Sequence, residues 1–262
     1  MLTFILTNVT LLINYLKQFI TIDSNSLLEI TPEKNFVIKS YTAARTAVIV
    51  GKIELGEFCK TPLKVRLPKR VIKCGIYNTK LLIDMLTRFQ KNTEIQLTLQ
   101  YHVENNGELV GDNIILSDFN KEFNLRFAQI SLFKDMEDDI ADSVFDMSKS
   151  YFSFELPSTK LKEIKADAAL QNGFDLEIFP RIINNKKFVC FTGKDFSDKI
   201  PIETDLDIGN IQGATITKEY FRYLDKDSNY TCHLTETSVL FISDKFNTKT
   251  CFGRVMNAED EL

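Results

Sequence analysis

The chain has 262 residues, 44% of them hydrophobic and 26% charged, with a formal charge of -4 and a pI near 5.4. That composition fits a folded chain of one large or two ordinary domains, and excludes both a largely disordered protein and one that coats nucleic acid with its whole surface. Five scattered cysteines, none in a Cys-x-x-Cys pair, exclude a disulfide framework and a paired-cysteine zinc site, and read as buried thiols in a reducing compartment such as the cytoplasm.

"MLTFILTNVTLLINYL" predicts a strand from Leu2 to Leu6 and a helix from Asn8 to about Ile20. It lacks the leading positive charge of a signal peptide and is too short and polar to span a membrane, so no membrane partner is expected. Strand-forming runs follow in "LLEITPEKNFVIKS", "TAVIVGKIEL" and "PLKVRLP". Residues 78–91 then repeat apolar side chains at Leu81, Leu82, Met85, Leu86 and Phe89, the spacing of an amphipathic helix with Asn78 at its N-cap. Its opposite stripe carries Lys80, Asp84, Arg88 and Lys91. Strands resume with "EIQLTLQYHV", "NIILSDF" and "EFNLRFA".

From Gln129 to Lys149 periodicity stops, and Asp135, Glu137, Asp138, Asp139, Asp142 and Asp146 give the segment a linker composition. The order then begins again: strand "YFSFEL", helix "PSTKLKEIKADAALQ", strands "FDLEIFP", "KKFVCFTG" and "DKIPIE", helix "TKEYFRYLDKD", strands "YTCHLTE", "SVLFIS" and "TCFGRVM". "LEITPEKNFV" and "LEIFPRIINNKKFV" share a Leu-Glu-Ile-x-Pro start and a Phe-Val end, each after its half's first helix, which favours an internal duplication. The expected organisation is α+β, with similar domains at 1–128 and 150–262 joined by an acidic linker at 129–149.

No catalytic constellation is evident. His102 and His233 stand alone within strands, and nucleophile elbows, phosphate-binding glycine loops and dinucleotide fingerprints are missing, so no catalytic residue, metal or cofactor is expected and an enzyme is unsupported. The four predicted helices each carry a net basic charge, whereas the rest of the chain is acidic. Such a bias suggests one basic surface that meets a polyanion through its phosphates rather than its base edges, as nucleic-acid binding without sequence readout requires.

In order along the chain, "MLTFILTNVTLLINYLKQFI", "IKCGIYNTKLLIDMLTRF", "FELPSTKLKEIKADAAL", "EYFRYLDK" and "CFGRVMNAEDEL" resemble the successive inner-helix and C-terminal segments of the DNA sliding clamps of the proliferating cell nuclear antigen type and their phage counterparts. The resemblance spans nearly the whole chain. It implies the DNA-clamp fold, with two similar domains that each pack two inner helices on antiparallel sheets. Three chains would close head to tail into a homotrimeric ring around the duplex, an edge strand near Phe123 to Phe127 pairing with one near Phe196 to Glu203 of the next subunit. It also implies a processivity factor that tethers a DNA polymerase and is placed by a clamp loader, working in host cytoplasm or nucleoid for a phage protein and in the nucleus for a eukaryotic one.

On that resemblance Lys17, Lys80, Arg88, Lys91, Lys162, Lys165, Lys218, Arg222 and Lys226 would face DNA, with Asp84, Glu163 and Asp167 interrupting the basic stripes. An apolar partner pocket would draw on Tyr41, Val48, Leu132, Phe133, Val255, Met256 and Ala258. Two readings stay open beside it, a clamp-like processivity subunit that forms no ring and a β-rich structural or adaptor protein with no DNA role.

Overall fold

The computed structural model describes residues 1–60, 66–89, 94–136, 145–246 and 248–255. The chain divides into a first unit, residues 1–43 and 49–141, and a second, residues 44–48 and 142–262.

In the first unit β1 (Leu2–Leu6) alternates buried and half-buried residues, turning Leu2, Phe4 and Leu6 inward. Asn8 then caps α1 (Val9–Lys17), its side-chain oxygen accepting from Leu11 N at 3.0 Å. Asn78 does the same for α3 (Thr79–Thr87), accepting from Leu81 N at 2.9 Å. One short polar side chain thus satisfies an N–H that the first helical turn leaves unpaired. Both helices fall inside the predicted spans and end earlier than their apolar periodicity, since Phe19 and Phe89 are buried beyond the last helical residue. The two helices are neighbours, and each buries one face, Leu12, Tyr15 and Leu16 on α1 and Leu82, Ile83 and Leu86 on α3.

The strands of this unit are β2 (Ser26–Ile30), β3 (Asn35–Tyr41), β4 (Ala47–Glu54), the short β5 (Cys59–Lys60), β6 (Ile72–Ile76), β7 (Ile95–Val103), β8 (Leu109–Ser117) and β9 (Glu122–Arg126), with a one-turn helix α2 at Leu55–Phe58. One group runs β4-β3-β2-β6 and the other β5-β1-β7-β8, with β9 also on β8. A short parallel pairing of Ile72 and Lys73 with Leu109 and Val110 joins them. Every residue of β2 is buried, because both of its faces are covered. One of these buried positions is charged: Glu29 pairs with Lys39 across β2 and β3 at 3.0 Å.

The second unit repeats the pattern. Its strands are β10 (Phe152–Leu156), β11 (Asp175–Ile183), β12 (Lys186–Thr192), β13 (Ser197–Pro201), β14 (Ala214–Thr217), β15 (Tyr230–Leu234), β16 (Ser238–Ser243) and β17 (Lys249–Gly253), with α4 at Ser158–Leu170. The groups β10-β15-β16-β17 and β13-β12-β11-β14 match β1-β7-β8-β9 and β4-β3-β2-β6 of the first unit strand for strand. The segments with matching letters are β2–β3 and β11–β12. The second pair is longer and turns on Asn184 and Asn185, whose φ of 48° and 59° suits a tight two-residue hairpin.

Two expectations are corrected and one strand is added. The fourth inner helix is a 3-10 turn, Lys218–Tyr223, preceded by β14. Thr215, Ile216 and Thr217 are β-branched and favour a strand, and the aromatic side chains that follow are drawn apart for packing: Phe221 meets Phe191 and Phe241 at 5.9 Å, while Tyr220 and Tyr223, three residues apart, stack at 6.1 Å. Arg66–Pro68 of "PLKVRLP" form no strand, and residues 62–65 of that run lie outside the described residues. Between that run and α3, β6 is a strand of five residues where no element was expected.

Candidate nucleic-acid interface and partner surfaces

Asn8 and Asn78 set where α1 and α3 begin, and so which residues their outer faces present. Lys17 at the end of α1, Lys80 in the first turn of α3 and Arg88 at its C-cap are all exposed. Lys121, in the turn between β8 and β9, donates from Nζ to the Arg88 carbonyl at 3.2 Å. It adds a cation beside Arg88 that a search confined to helices overlooks, and Asp118 Oδ1, accepting from Asn120 N and Lys121 N at 2.8 Å, fixes its turn. Lys91 lies outside the described residues.

In the second unit α4 is capped from a distant part of the chain. Ser158 N donates to Asn229 Oδ1 at 2.9 Å, and Asp244 holds that asparagine through its N at 3.0 Å and its Nδ2 at 2.7 Å. Lys162, Lys165 and Lys226 surround a shallow depression together with Asp227. Lys162 pairs with Asp227 at 2.8 Å, and both are about half exposed. Lys165 donates to the Leu224 carbonyl at 2.7 Å, and burial pushes its pKa down against the pull of Asp225. Lys218 donates to the Gln171 carbonyl. Arg222 lies over the Tyr223 ring at 4.8 Å and donates to its hydroxyl at 2.8 Å. The basic residues of this unit are thus tied to protein groups to a greater degree than Lys17 and Lys80, which the periodicity alone does not distinguish.

The residues expected to share a partner pocket occupy three places. Phe133 is 4% exposed and packs with Leu27, Tyr41, Ala128 and Ile130 in the first unit. Its ring lies over Gly75, where a Cβ would meet Phe133 Cε2 at 2.5 Å. Leu132, its neighbour in the 3-10 turn Ile130–Met136, is 70% exposed. Val48 lines a pocket of the second unit with Thr235, Thr237 and Ser238. Val255 donates from its N to the Thr215 carbonyl at 2.8 Å, along β14. Met256 and Ala258 lie outside the described residues.

Arg254 fixes the approach to that segment and stands out in sequence as the one cation of "TCFGRVM". Its Nη1 donates to the carbonyls of Thr235 at 3.2 Å and Glu236 at 3.0 Å, and its Nη2 to that of Gly213 at 2.6 Å. Tyr151 completes the clamp, donating to the Gln212 carbonyl at 3.1 Å.

Among the strands paired on one side only are β9 and β13. β9 pairs only with β8, and β13 only with β12. Phe127 N donates to Asp112 O, so alternation along the strand turns the N–H groups of Leu125 and Phe123 toward β8 and those of Asn124 and Arg126 outward. On β13, Ile202 N donates to Lys187 O, which turns Lys199 N–H outward and places Pro201, without an N–H, on the same outer side.

Among the described residues no group of three histidine, cysteine, aspartate or glutamate side chains could hold a metal ion, all five cysteines are buried free thiols, and no helix is long and apolar enough to cross a membrane.

No protein-family model matches the chain, and no curated protein matches it in sequence. Solved structures do match in shape. A. fulgidus PCNA, solved with the C-terminal region of FEN-1 bound, superposes with a TM-score of 0.67 at 12% identity, over 98% of this chain and 100% of that one. Proliferating cellular nuclear antigen from Entamoeba histolytica gives a TM-score of 0.66 at 12% identity, over 97% of this chain and 99% of that one.

Proposed function

We propose that this chain, whose fold is that of the sliding clamps, works as a DNA polymerase processivity factor: three copies close head to tail around duplex DNA and tether the polymerase and other partners to it. The observation that carries this reading is the match to proliferating cell nuclear antigens over nearly the full length of both chains. The exposed Lys17, Lys80 and Arg88 support it, because diffuse attraction to phosphates centres a duplex without fixing it. The open edges of β9 and β13 support it as well, since unlike edges that pair head to tail generate a closed ring when the rotation fits. In this reading the domains meet the linker at 129 and 149, the strand near Phe123 to Phe127 joins that near Phe196 to Glu203 of the next copy, and a clamp loader places the ring.

The test has two parts. Light scattering is expected to give three times the chain's 30.1 kDa; a monomer or dimer at high micromolar concentration would favour the open, non-ring subunit. Clamp loaded by its cognate loader on nicked circular DNA is then expected to stay through a high-salt wash and to leave once the circle is cut. Equal loss from circular and linear DNA would count against encirclement. For partners, Val255 and Met256 are the first residues to change: the double replacement by Ser is expected to abolish binding of a peptide from the polymerase terminus while assembly persists, read by calorimetry.

A further inference from the structure

The edges of β9 and β13 differ in charge on the face that each turns toward a helix. On β9, Phe123 is half-buried and Leu125 buried on this inner face, and Phe123 meets Phe89 edge-on at 5.6 Å, which sets the end of α3 over it. Arg88 precedes Phe89, and no ion pair or hydrogen bond engages its exposed guanidinium among the described residues. Lys121 adds a second positive charge there, because the Arg88 carbonyl that accepts from its Nζ does not neutralise it.

On β13, Asp198 and Ile200 share the inner face. Burial and then the Asp167 carboxylate of α4 raise the Asp198 pKa, Glu163 adds to the rise, and Lys160 alone opposes it. Lys160 is itself paired with Glu163. Asp198 Oδ2 is buried without a hydrogen-bond partner, and Asp167 has no ion pair among the described residues. This side therefore holds negative charge that its own cations leave uncompensated.

The phase of the hydrogen bonds limits how the two edges can join. Asn124 and Arg126 on β9 and Lys199 on β13 turn their N–H groups outward, and all three side chains lie on the outer face, opposite the inner rows. In an antiparallel pair two outward-turned residues stand opposite each other with their side chains on one face, whereas in a parallel pair an outward-turned residue stands opposite an inward-turned one. Only the antiparallel joint thus puts α3 of one copy and α4 of the next on the same side.

We propose that across such a joint Arg88 of one copy meets the Glu163 and Asp167 carboxylates of the next, so that charge as well as backbone pairing closes the seam. A guanidinium fork suits neighbouring carboxylates, and Lys121 and Asp198 strengthen the attraction from either side. The complementarity also selects the partner: like edges would set carboxylates against carboxylates or cations against cations. This deepens the ring proposed above and rests on it.

The test is a dilution series without DNA, read by sedimentation of the fluorescently labelled full chain, that gives the concentration at which half of the assembly has dissociated. Arg88→Glu is expected to raise that concentration at least tenfold, and Glu163→Arg combined with Asp167→Arg to do the same, each with an unchanged circular dichroism spectrum. The triple variant, in which the charges are exchanged rather than removed, is expected to return to within threefold of the parent. Losses that simply add in the triple variant, or parental dissociation in either reversed variant, would overturn the proposal. Should the α4 variant lose helix signal, Arg88→Gln decides: a rise of at least threefold supports the seam contact and parental assembly overturns it. With DNA absent, lost attraction to phosphates cannot imitate the effect. A parent that stays monomeric at high micromolar concentration would overturn the ring as well, whereas a trimeric parent without rescue overturns this contact alone.

Discussion

Asp198, on β13, carries its charge against its surroundings. Burial raises its pKa, the adjacent Asp167 carboxylate raises it further, Lys160 opposes and Glu163 adds to the rise, while Oδ2 is buried without a hydrogen-bond partner among the described residues. A folded pKa above the unfolded one means that the native state binds the proton more readily, so the charge costs stability at pH 7 and that cost fades as pH falls below the folded value. Asp198→Asn is therefore expected to raise Tm at pH 7, with a smaller gain near pH 4, in paired thermal melts; a loss at pH 7 would contradict the arrangement. Tyr15 presents the opposite case, a buried hydroxyl whose partner is present: it donates to the Phe36 carbonyl at 3.2 Å, and burial holds its pKa far above the usual value. Tyr15→Phe leaves that carbonyl one donor short and is expected to cost about 1 kcal/mol in urea unfolding. Neither environment was legible in the sequence, because Asp167 and Phe36 lie on other elements than the residues they act on.

At the scale of elements, the 3-10 turn after β9 is fastened through Phe133, which packs on Leu27 and Tyr41 as well as over β6. The Phe133 ring occupies the space above Gly75 on β6, so Gly75→Ala drives a methyl into it and is expected to cost about 1–3 kcal/mol, the usual range for overpacking. Phe133→Ala removes the obstruction, and the double variant is expected to lose less than the two single losses combined; strict additivity in urea unfolding would mean that ring and glycine do not oppose each other. The sequence displayed α1 and α3 plainly, since each combines a 3.6-residue period with an asparagine cap. It displayed the duplication too, through the letters of β2–β3 and β11–β12. It did not reveal which of Leu132 and Phe133 turns inward, as both are apolar and only the pitch of the turn over Gly75 decides. Nor did it reveal β14, where a β-branched run leads directly into a basic, aromatic segment that reads equally well as a helix.

For the whole molecule, the decisive quantities are charge and free edges. Replacing Lys17, Lys80, Arg88 and Lys162 by Glu is expected to leave the fold intact, because all four are exposed, and to cut loading and processive synthesis at least tenfold; parental synthesis by that variant would refute the basic lining. Asn124→Pro removes a donor from the outer edge of β9 while sparing the bonds of Leu125 and Phe123 to β8, and is expected to give folded monomers by light scattering, with persistent trimers counting against that edge as the seam. The proline already in β13 has a further implication for the proposed ring. A strand whose last outward position cannot donate offers a neighbour a complete set of rungs at one end of the joint and an incomplete set at the other. Such a joint fails as a zip does, from its weaker end, so that threading onto a closed DNA circle would start where Pro201 meets the adjoining copy and proceed toward Ser197.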